Sequence, residues 1–441
     1  MHHSIIKRDT KVIKQEIFDL VKEYYDETFA NITFTPGENK VPVSGKVFDE
    51  DELNHIVESA LDGWFTTGRF NEAFEKELAK FINTKRVITV NSGSSANLLA
   101  FATLTAEELG KRAIKPGDEL ITVAVSFPTT LNPALLYGVV PVFVDVDIPT
   151  YNIEVTKIEE AITPKTKAIM IAHTLGNPFN VAAVVEIAKK HNLWLIEDCC
   201  DALGATFNDK HVGTFGDIGT LSFYPAHHIT MGEGGAVFTK NSKLIKIIES
   251  FRDWGRDCWC ASGCDNTCGK RFEWELGDLP FGYDHKYIYS RLGYNLKITD
   301  MQAALGLAQL KKLPQFIKTR RHNYSRLKHG LADLSNKIIL PEPTPHSHPS
   351  WFGFLITLKD NAGITRNDLI AKLTDAKIDT RLLFGGDIRK QPYFKNYKYR
   401  VVGDLNKTEI ILNNTFWIGV TPMINDEMID YVVDVFHKIL K

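Results

Sequence analysis

The chain has 441 residues, 44% of them hydrophobic, with 52 basic against 54 acidic side chains for a formal net charge of -2. That is enough apolar material for a large core, at a length that favours two or three domains. The near-neutral balance, with no long run of one sign, argues against a nucleic-acid binder, and no segment approaches the ~20 apolar residues of a membrane span.

The N-terminal stretch "MHHSIIKRDTKVIKQEIFDLVKEYY" is charged throughout and lacks the short apolar core of a secretory signal, so a cytoplasmic protein is expected. Within it Val12, Ile13, Ile17, Leu20, Val21 and Tyr24 recur at helical spacing. They predict an amphipathic helix over 10–27 whose apolar stripe packs on the rest of the fold. "FTPGENKVPVSG" then reads as an extended connection.

From about residue 70 the pattern changes. The apolar runs "RVITV", "ELITVAV", "VVPVFVDVD", "KAIMIAH" and "LWLIEDCC" alternate with helical segments such as "VAAVVEIAKKHN". This alternation predicts an α/β fold with a mostly parallel sheet covered on both faces by helices. Ligands in such folds sit at the carboxyl ends of the strands. Here those ends carry "NSGSSAN", "SFPTT", "HTLGN" and "EDCCDALG", which are expected to converge on one site.

In "TVNSGSSANLLAF", Gly93, Ser94 and Ser95 lie between a strand and a helix, where free N–H groups and hydroxyls at a positive helix end suit a phosphate. A serine-rich helix cap without a ligand gives the same pattern. "LWLIEDCCDALGATF" ends a buried strand with Glu197 and Asp198. A carboxylate there is either a solvated strand end or the partner of a protonated ring nitrogen, as pyridoxal cofactors require.

All six cysteines fall into two groups, Cys199 and Cys200, then Cys258, Cys260, Cys264 and Cys268 in "DCWCASGCDNTCGK". The clustering favours a metal site over scattered packed thiols or disulfides. A structural zinc accepts the spacing of Cys260, Cys264 and Cys268, but the single-residue gap between Cys258 and Cys260 fits it poorly. Further on, "TDMQAALGLAQLKKLPQFIKTRRHNYSRLKHGLADL" predicts a long helix, broken or kinked at Pro314. After it, "WFGFLITLK" and "EMIDYVVDVFHKIL" supply a strand and a helix for a smaller C-terminal α/β domain. The expected organisation is an N-terminal helix and arm over 1–50, a large cofactor-binding domain over 51–320 with a cysteine insert near 255–285, and a small domain over 321–441.

Taken in order, "VITVNSGSSAN", "SFPTTLNPALLYGVVPVFVDVD", "IEDCCDALGATF", "GDIGTLSFYPAHHITMGEGGAV" and "LGYNLKITDMQAALGLAQL" resemble the sugar aminotransferase and dehydratase family of pyridoxal-phosphate fold-type I proteins. The resemblance covers about residues 50–440 and implies a homodimer with active sites at the subunit interface. It implies that Gly93, Ser94, Ser95 and Ser222 hold the cofactor phosphate, that Phe127 stacks on its ring and that Asp198 pairs with its pyridine nitrogen. Asn295 of "GYN" would reach the phosphate in the partner subunit. Asp201 stands where most of the family's aminotransferases have Gln, and is expected near the ring.

In those aminotransferases the lysine of the internal Schiff base follows the phosphate-binding serine by five residues; here the count from Ser222 reaches His227. Imidazole cannot tether the cofactor covalently, but it is a base near neutral pH. The resemblance therefore implies that His227 is the catalytic base and works with pyridoxamine 5'-phosphate (PMP) in place of lysine-bound pyridoxal phosphate (PLP). His228 is the neighbouring alternative. The family's deoxysugar 3-dehydrases bind a 2Fe-2S cluster through Cys, 57 residues, Cys, one residue, Cys, seven residues, Cys, and Cys200, Cys258, Cys260 and Cys268 match that pattern. Cys199 and Cys264 are left over.

What this implies is reductive C3 deoxygenation of a nucleotide 4-keto-6-deoxyhexose, CDP-linked, through a PMP Schiff base. An NADH-dependent flavin and iron–sulfur reductase would deliver electrons through the cluster. Two alternatives remain at this point: a redox-independent 3-dehydratase with the same histidine and cofactor, and a non-enzymatic scaffold built on a decayed aminotransferase. "FGGDIRKQPYF" adds Arg389 as a candidate for a substrate phosphate.

Overall fold

The computed structural model describes residues 8–30 and 33–441. The chain opens with α1 (Thr10–Thr28), α2 (Glu50–Leu61) and α3 (Arg69–Phe81). There follow β1 (Arg86–Val90), α4 (Gly93–Thr103), β2 (Glu119–Val123), α5 (Pro128–Leu136), β3 (Val140–Val144), α6 (Ile158–Ala161), β4 (Thr166–Ala172), α7 (Val181–Lys190) and β5 (Trp194–Asp198). The short β6 (Thr206–Phe207) and β7 (Lys210–His211) precede β8 (Ile218–Ser222), β9 (Gly235–Thr239) and α8 (Ser242–Arg252). After a long loop come α9 (Asp300–Gly330), β10 (Ile338–Ile339), β11 (Ser347–His348), β12 (Gly353–Leu358), α10 (Arg366–Asp375) and β13 (Thr380–Arg381). The chain closes with β14 (Arg400–Val401), α11 (Asn406–Asn414), β15 (Thr415–Gly419) and α12 (Asp426–Leu440).

Eight strands form the main sheet in the order β1-β9-β8-β5-β4-β2-β3-β14. Every neighbouring pair from β8 to β14 is parallel, while β9 runs antiparallel to both β1 and β8. The strands β2, β5 and β8 are buried along their whole length, as expected where helices cover both faces. Because only β9 is reversed, the carboxyl ends of β1, β2, β4, β5 and β8 lie along one edge of the sheet, and β9 starts there. The turns after those strands therefore share one rim.

The second sheet is antiparallel throughout, in the order β10-β12-β15-β13. Its core joins Phe354, Ile356 and Phe416 to Leu327 of α9, Leu373 of α10 and Phe436 of α12. Two features tie the halves together. Helix α9 runs unbroken from Asp300 to Gly330, through the expected boundary at residue 320. Strand β14 returns from the C-terminal region to pair with β3, Arg400 opposite Val142 and Val401 opposite Phe143. Ile388, Phe394 and Leu405 pack there against Ala124, Leu131 and Phe143.

Two local expectations end differently. Pro314 lies inside α9 without ending it. A mid-helix proline costs roughly 3 kcal/mol. Burial of Leu313, Phe316 and Ile317 around it, at about 1.5–3 kcal/mol per side chain, outweighs that cost. The N-terminal helix does form, but none of its residues is buried, and Val12, Leu20 and Tyr24 remain exposed. Its stripe packs only in part: Ile13, Ile17 and Val21 are half-buried, and Tyr25 donates its hydroxyl to the Phe48 carbonyl at 2.9 Å. Among the described residues no helix is long and apolar enough to cross a membrane.

Candidate active site

The turn between β1 and α4 is built as an anion cradle. Ser92 caps α4, its hydroxyl accepting from the Ser95 N–H at 3.0 Å. The first N–H groups of the helix, at Gly93 and Ser94, have no intrahelical acceptor and point along the positive helix end. Gly93 is enclosed: a Cβ placed on it would lie 2.4 Å from Ser222 Cβ, 2.7 Å from Ser222 Oγ and 3.1 Å from Cys200 Sγ. A Cβ on Gly235, at the start of β9, would meet the Gly93 nitrogen at 2.7 Å. The absence of both side chains leaves room for a ligand's oxygens beside Ser222. Of the expected phosphate residues, Ser94 is exposed, whereas the Ser95 hydroxyl is already donated to Asn91 Oδ1 at 2.6 Å. Gly93→Ala is expected to raise the Kd for pyridoxamine phosphate at least about tenfold, or ~1.4 kcal/mol, and equilibrium titration of absorbance checks it.

At the end of β5 the two adjacent carboxylates separate by strand alternation. Glu197 is fully buried and spent: Oε1 accepts from the N–H of Phe215 (2.9 Å) and Gly216 (2.6 Å), and Oε2 from the N–H of Gly213 (2.7 Å). His173, stacked on Phe179 with ring centroids 4.2 Å apart, adds its Nε2 at 3.2 Å from Oε2. Asp198 keeps capacity. Its Oδ2 accepts from Asn97 Nδ2 at 2.8 Å and Thr130 Oγ1 at 2.7 Å, and its Oδ1 accepts from the Cys200 N–H at 3.1 Å. A carboxylate offers about four lone-pair positions. Oδ1 therefore retains one for a further donor such as a pyridinium N–H. Asn97 is oriented in turn by the Thr220 hydroxyl, which donates to its Oδ1 at 2.7 Å.

Neither Asn97 nor Thr130 was singled out in the sequence. Asn97 lies four residues after Gly93 on the same helix face, and Thr130 three after Phe127, so helical spacing from the motif residues is the signal that could have found them.

Phe127 is half exposed at the N-terminus of α5, and its ring centroid lies 6.4 Å from that of Phe384. Asp201, immediately after the paired cysteines, places Oδ1 3.3 Å from His227 Nδ1. His227 lies in the loop after β8, with its side chain 15% exposed and its ring 5.1 Å from that of Phe352. His228 turns the other way. It is 2% exposed, and its Nε2 is 2.8 Å from the Ser350 carbonyl oxygen. Asn295 is exposed just before Leu296, whose carbonyl accepts from the Asn91 N–H at 2.8 Å. Arg389 is occupied, donating to Asp387 through Nε at 2.9 Å and Nη2 at 2.5 Å.

The loop between α8 and α9 carries four of the cysteines. Polar pins shape it: His285 Nε2 meets Asp257 Oδ2 at 2.7 Å, Arg271 grips Asp284 through two nitrogens at 2.9 and 2.7 Å, and Trp274 stacks on His285. Cys258 and Cys260 adjoin, the Cys260 N–H lying 3.5 Å from Cys258 Sγ, while Cys260 Sγ is 3.0 Å from the Thr267 hydroxyl. Cys268 Sγ accepts from the Lys270 N–H at 3.4 Å, and Cys200 packs at the phosphate turn. Burial and the adjacent Asp198 push the Cys200 thiol well above the usual range.

The two cofactors therefore fit differently. The cradle at Gly93 and the open position on Asp198 Oδ1 suit pyridoxamine phosphate. The thiols supply the right donors for an iron–sulfur cluster, but among the described residues no three His, Cys, Asp or Glu side chains are gathered to hold a metal. In this arrangement Cys200, Cys258, Cys260 and Cys268 do not form a cage.

Comparison with known proteins agrees with this architecture. The model of the DegT/DnrJ/EryC1/StrS aminotransferase family matches residues 46–437. The chain is 62% identical to the lipopolysaccharide biosynthesis protein RfbH of Salmonella typhimurium, over 97% of this chain and 98% of that one. It is 52% identical to the dTDP-4-dehydro-2,6-dideoxy-D-glucose 3-dehydratase of Saccharopolyspora spinosa, over 96% and 91%. Among solved structures, E. coli GDP-4-keto-6-deoxy-D-mannose-3-dehydratase with bound hydrated PLP aligns with a TM-score of 0.81 at 32% identity, covering 91% of this chain and 99% of that one. With the family model covering nearly the whole chain and relatives aligned along almost their full length, the chain belongs to the DegT/DnrJ/EryC1/StrS aminotransferase family.

Proposed function

We propose that this protein removes the C3 hydroxyl of a nucleotide-linked 4-keto-6-deoxyhexose, with pyridoxamine phosphate as cofactor and His227 as the base. The carrying observation is a histidine where the family's aminotransferases have lysine, set 3.3 Å from Asp201. Nδ1 is the nitrogen beside that carboxylate, close but without hydrogen-bond geometry, which leaves Nε2 as the nitrogen to take and return a proton. When bound, the cofactor supplies an amine for the sugar ketone and a ring that withdraws electrons. The chain's residues do the rest: the Gly93 turn and Ser222 hold the phosphate, Asp198 keeps the ring nitrogen protonated, and Phe127 covers the ring. The name of the Saccharopolyspora relative supports the dehydration of a nucleotide sugar, and that of the Salmonella relative supports a place in lipopolysaccharide biosynthesis.

The finer part of the proposal is a CDP-linked substrate and a reductive outcome, a 3,6-dideoxyhexose. A 2Fe-2S cluster on Cys200, Cys258, Cys260 and Cys268 would serve an NADH-dependent flavin and iron–sulfur reductase. Cysteine spacing supports this reading. Among the described residues the thiols are not gathered into a metal-holding group, and the alternative reading is a redox-independent dehydratase. Anaerobic purification decides between them: about two irons and two sulfides per chain are expected, and a colourless protein after reconstitution would leave the dehydratase. A panel of CDP, dTDP and GDP 4-keto-6-deoxyhexoses, assayed with the reductase present and absent, tests the substrate, and equal rates on all three would sink the CDP assignment. We also propose a homodimer, supported by the exposed apolar side chains of α1 and of the cysteine loop; light scattering reporting a monomer would remove it.

A further inference from the structure

Behind the His227 loop lies a small polar cavity that the chemistry above does not use. Its volume is about 10 Å³, and its walls include His227, His228, Thr230, Gln309 and Arg320. That is the space of a single water.

Three polar side-chain atoms of its lining residues have no hydrogen-bond partner: Nδ1 of His227, Nδ1 of His228 and Nε of Arg320. The Ser350 carbonyl can only accept, so the 2.8 Å contact to His228 Nε2 requires the proton on that nitrogen. His228 Nδ1 is then a bare acceptor, buried and without a partner. Burial, with Arg320 beside it, holds the His228 pKa well below the usual imidazole value, so the ring is neutral.

Arg320 is only 1% exposed. Its Nη1 donates to the carbonyls of Trp351 (3.2 Å) and Phe352 (3.4 Å), and its Nη2 donates to the carbonyl of His227 itself (3.3 Å). Burial pulls its pKa down to about 10, against the opposing charge of Asp201. Its Nε–H is the one unpartnered donor among these three atoms whose protonation is fixed. An unpaired donor and an unpaired acceptor on one water-sized cavity are complementary, and each left unsatisfied costs roughly 1–3 kcal/mol.

We propose that the cavity holds one water, accepting from Arg320 Nε–H and donating to His228 Nδ1. Through this bridge and its bond to the His227 carbonyl, Arg320 is the positioning residue that sets how the His227 ring enters the site. The guanidinium ties three backbone carbonyls from two segments: the loop bearing the base, and the residues just before β12, where Phe352 packs on the His227 ring. A displacement of about 1 Å at a reacting group costs up to ~100-fold in rate. The catalytic consequence rests on the reading of His227 as the base, whereas the water and the order of the loop do not.

Three measurements test it. A crystal structure is expected to show one water within about 3.2 Å of both atoms, and a dry cavity there overturns the bridge. In Arg320→Met, hydrogen exchange of amides 223–231 is expected to accelerate, solvent exchange of the cofactor methylene hydrogen to fall about tenfold or more, and KM for the sugar nucleotide to stay within about twofold; Arg320→Lys is expected to recover part of the loss. Wild-type protection and wild-type methylene exchange in Arg320→Met would remove the positioning role. If that variant does not fold, His228→Phe takes its place, because it fills the cavity and expels the water. The same losses support the proposal, and an unchanged protein overturns it. Should His227→Asn leave methylene exchange untouched, the base assignment falls while the water and the loop protection are still read independently.

Discussion

Replacing His227 by Asn is expected to slow solvent exchange of the cofactor methylene hydrogen, and turnover with it, by about 100- to 10,000-fold. Asparagine keeps the size and a polar edge, but its amide nitrogen carries no basic lone pair, so a proton has nowhere to go. Cofactor affinity is expected to stay within about threefold, because phosphate and ring are held by other residues, and a binding loss beyond ~10-fold would mark a structural role instead. The partner experiment restores lysine. His227→Lys is expected to bind pyridoxal phosphate covalently, seen as visible absorbance removed by borohydride. If no such band appears, His227 does not stand where the family's lysine stands.

Asp198→Asn is the second large effect. In the wild-type chain the carboxylate takes one bond from each of Asn97, Thr130 and the Cys200 N–H, and keeps one position open. An asparagine there would present either a neutral carbonyl to the ring nitrogen, with its NH₂ against the Asn97 amide, or an NH₂ to the ring nitrogen, with its carbonyl towards Asn97. In both cases the charge that favours a protonated ring nitrogen is gone. A hydrogen bond to a charged group contributes about 1.5–3 kcal/mol, so cofactor Kd is expected to rise roughly 10- to 150-fold. Turnover should fall further, because an unprotonated ring withdraws electrons poorly. Asn97→Ala is expected to give a milder form of the same phenotype, since it removes one of two donors to Oδ2. An Asp198→Asn protein with wild-type affinity and rate would detach this carboxylate from the cofactor.

How far the sequence could be read varies with the physical origin of each feature. The strands were legible because burial on both faces needs unbroken apolar runs, and "ELITV" and "WLIED" are buried throughout. The shared rim of Gly93 and Asp198 was legible because they sit at strand ends, where the sheet itself turns local sequence into shared position, whereas His227, five residues past the end of β8, was reached only through the family resemblance. Asn97, Thr130 and Arg320 were not. Each acts through a partner at least 68 residues distant, Asp198 for the first two and the His227 carbonyl for the third. The neighbouring pairs Glu197/Asp198 and His227/His228 show the limit of a motif: adjacent residues of one chemistry diverge once one of each is consumed inside the fold. The cysteine loop is the reverse case. Its spacing specifies donors, but with one short 3-10 turn and polar pins in place of strands, spacing does not dictate where the thiols come to rest.

Strand β14 has a consequence for biosynthesis. All other strands of the main sheet are in hand once Thr239 has been made, yet the outer edge of β3 waits for residues 400–401. At ribosomal speeds of about 5–20 residues per second, the ~160 residues between them take on the order of ten to thirty seconds. For that interval the hydrogen-bonding edge of "VPVFV", flanked by Phe143 awaiting Phe394 and Tyr399, is bare on a nascent chain. An open apolar edge invites pairing with other chains. The late segment therefore acts as a seal on the sheet, and shortened translation products ending before it should be the ones that chaperones retain.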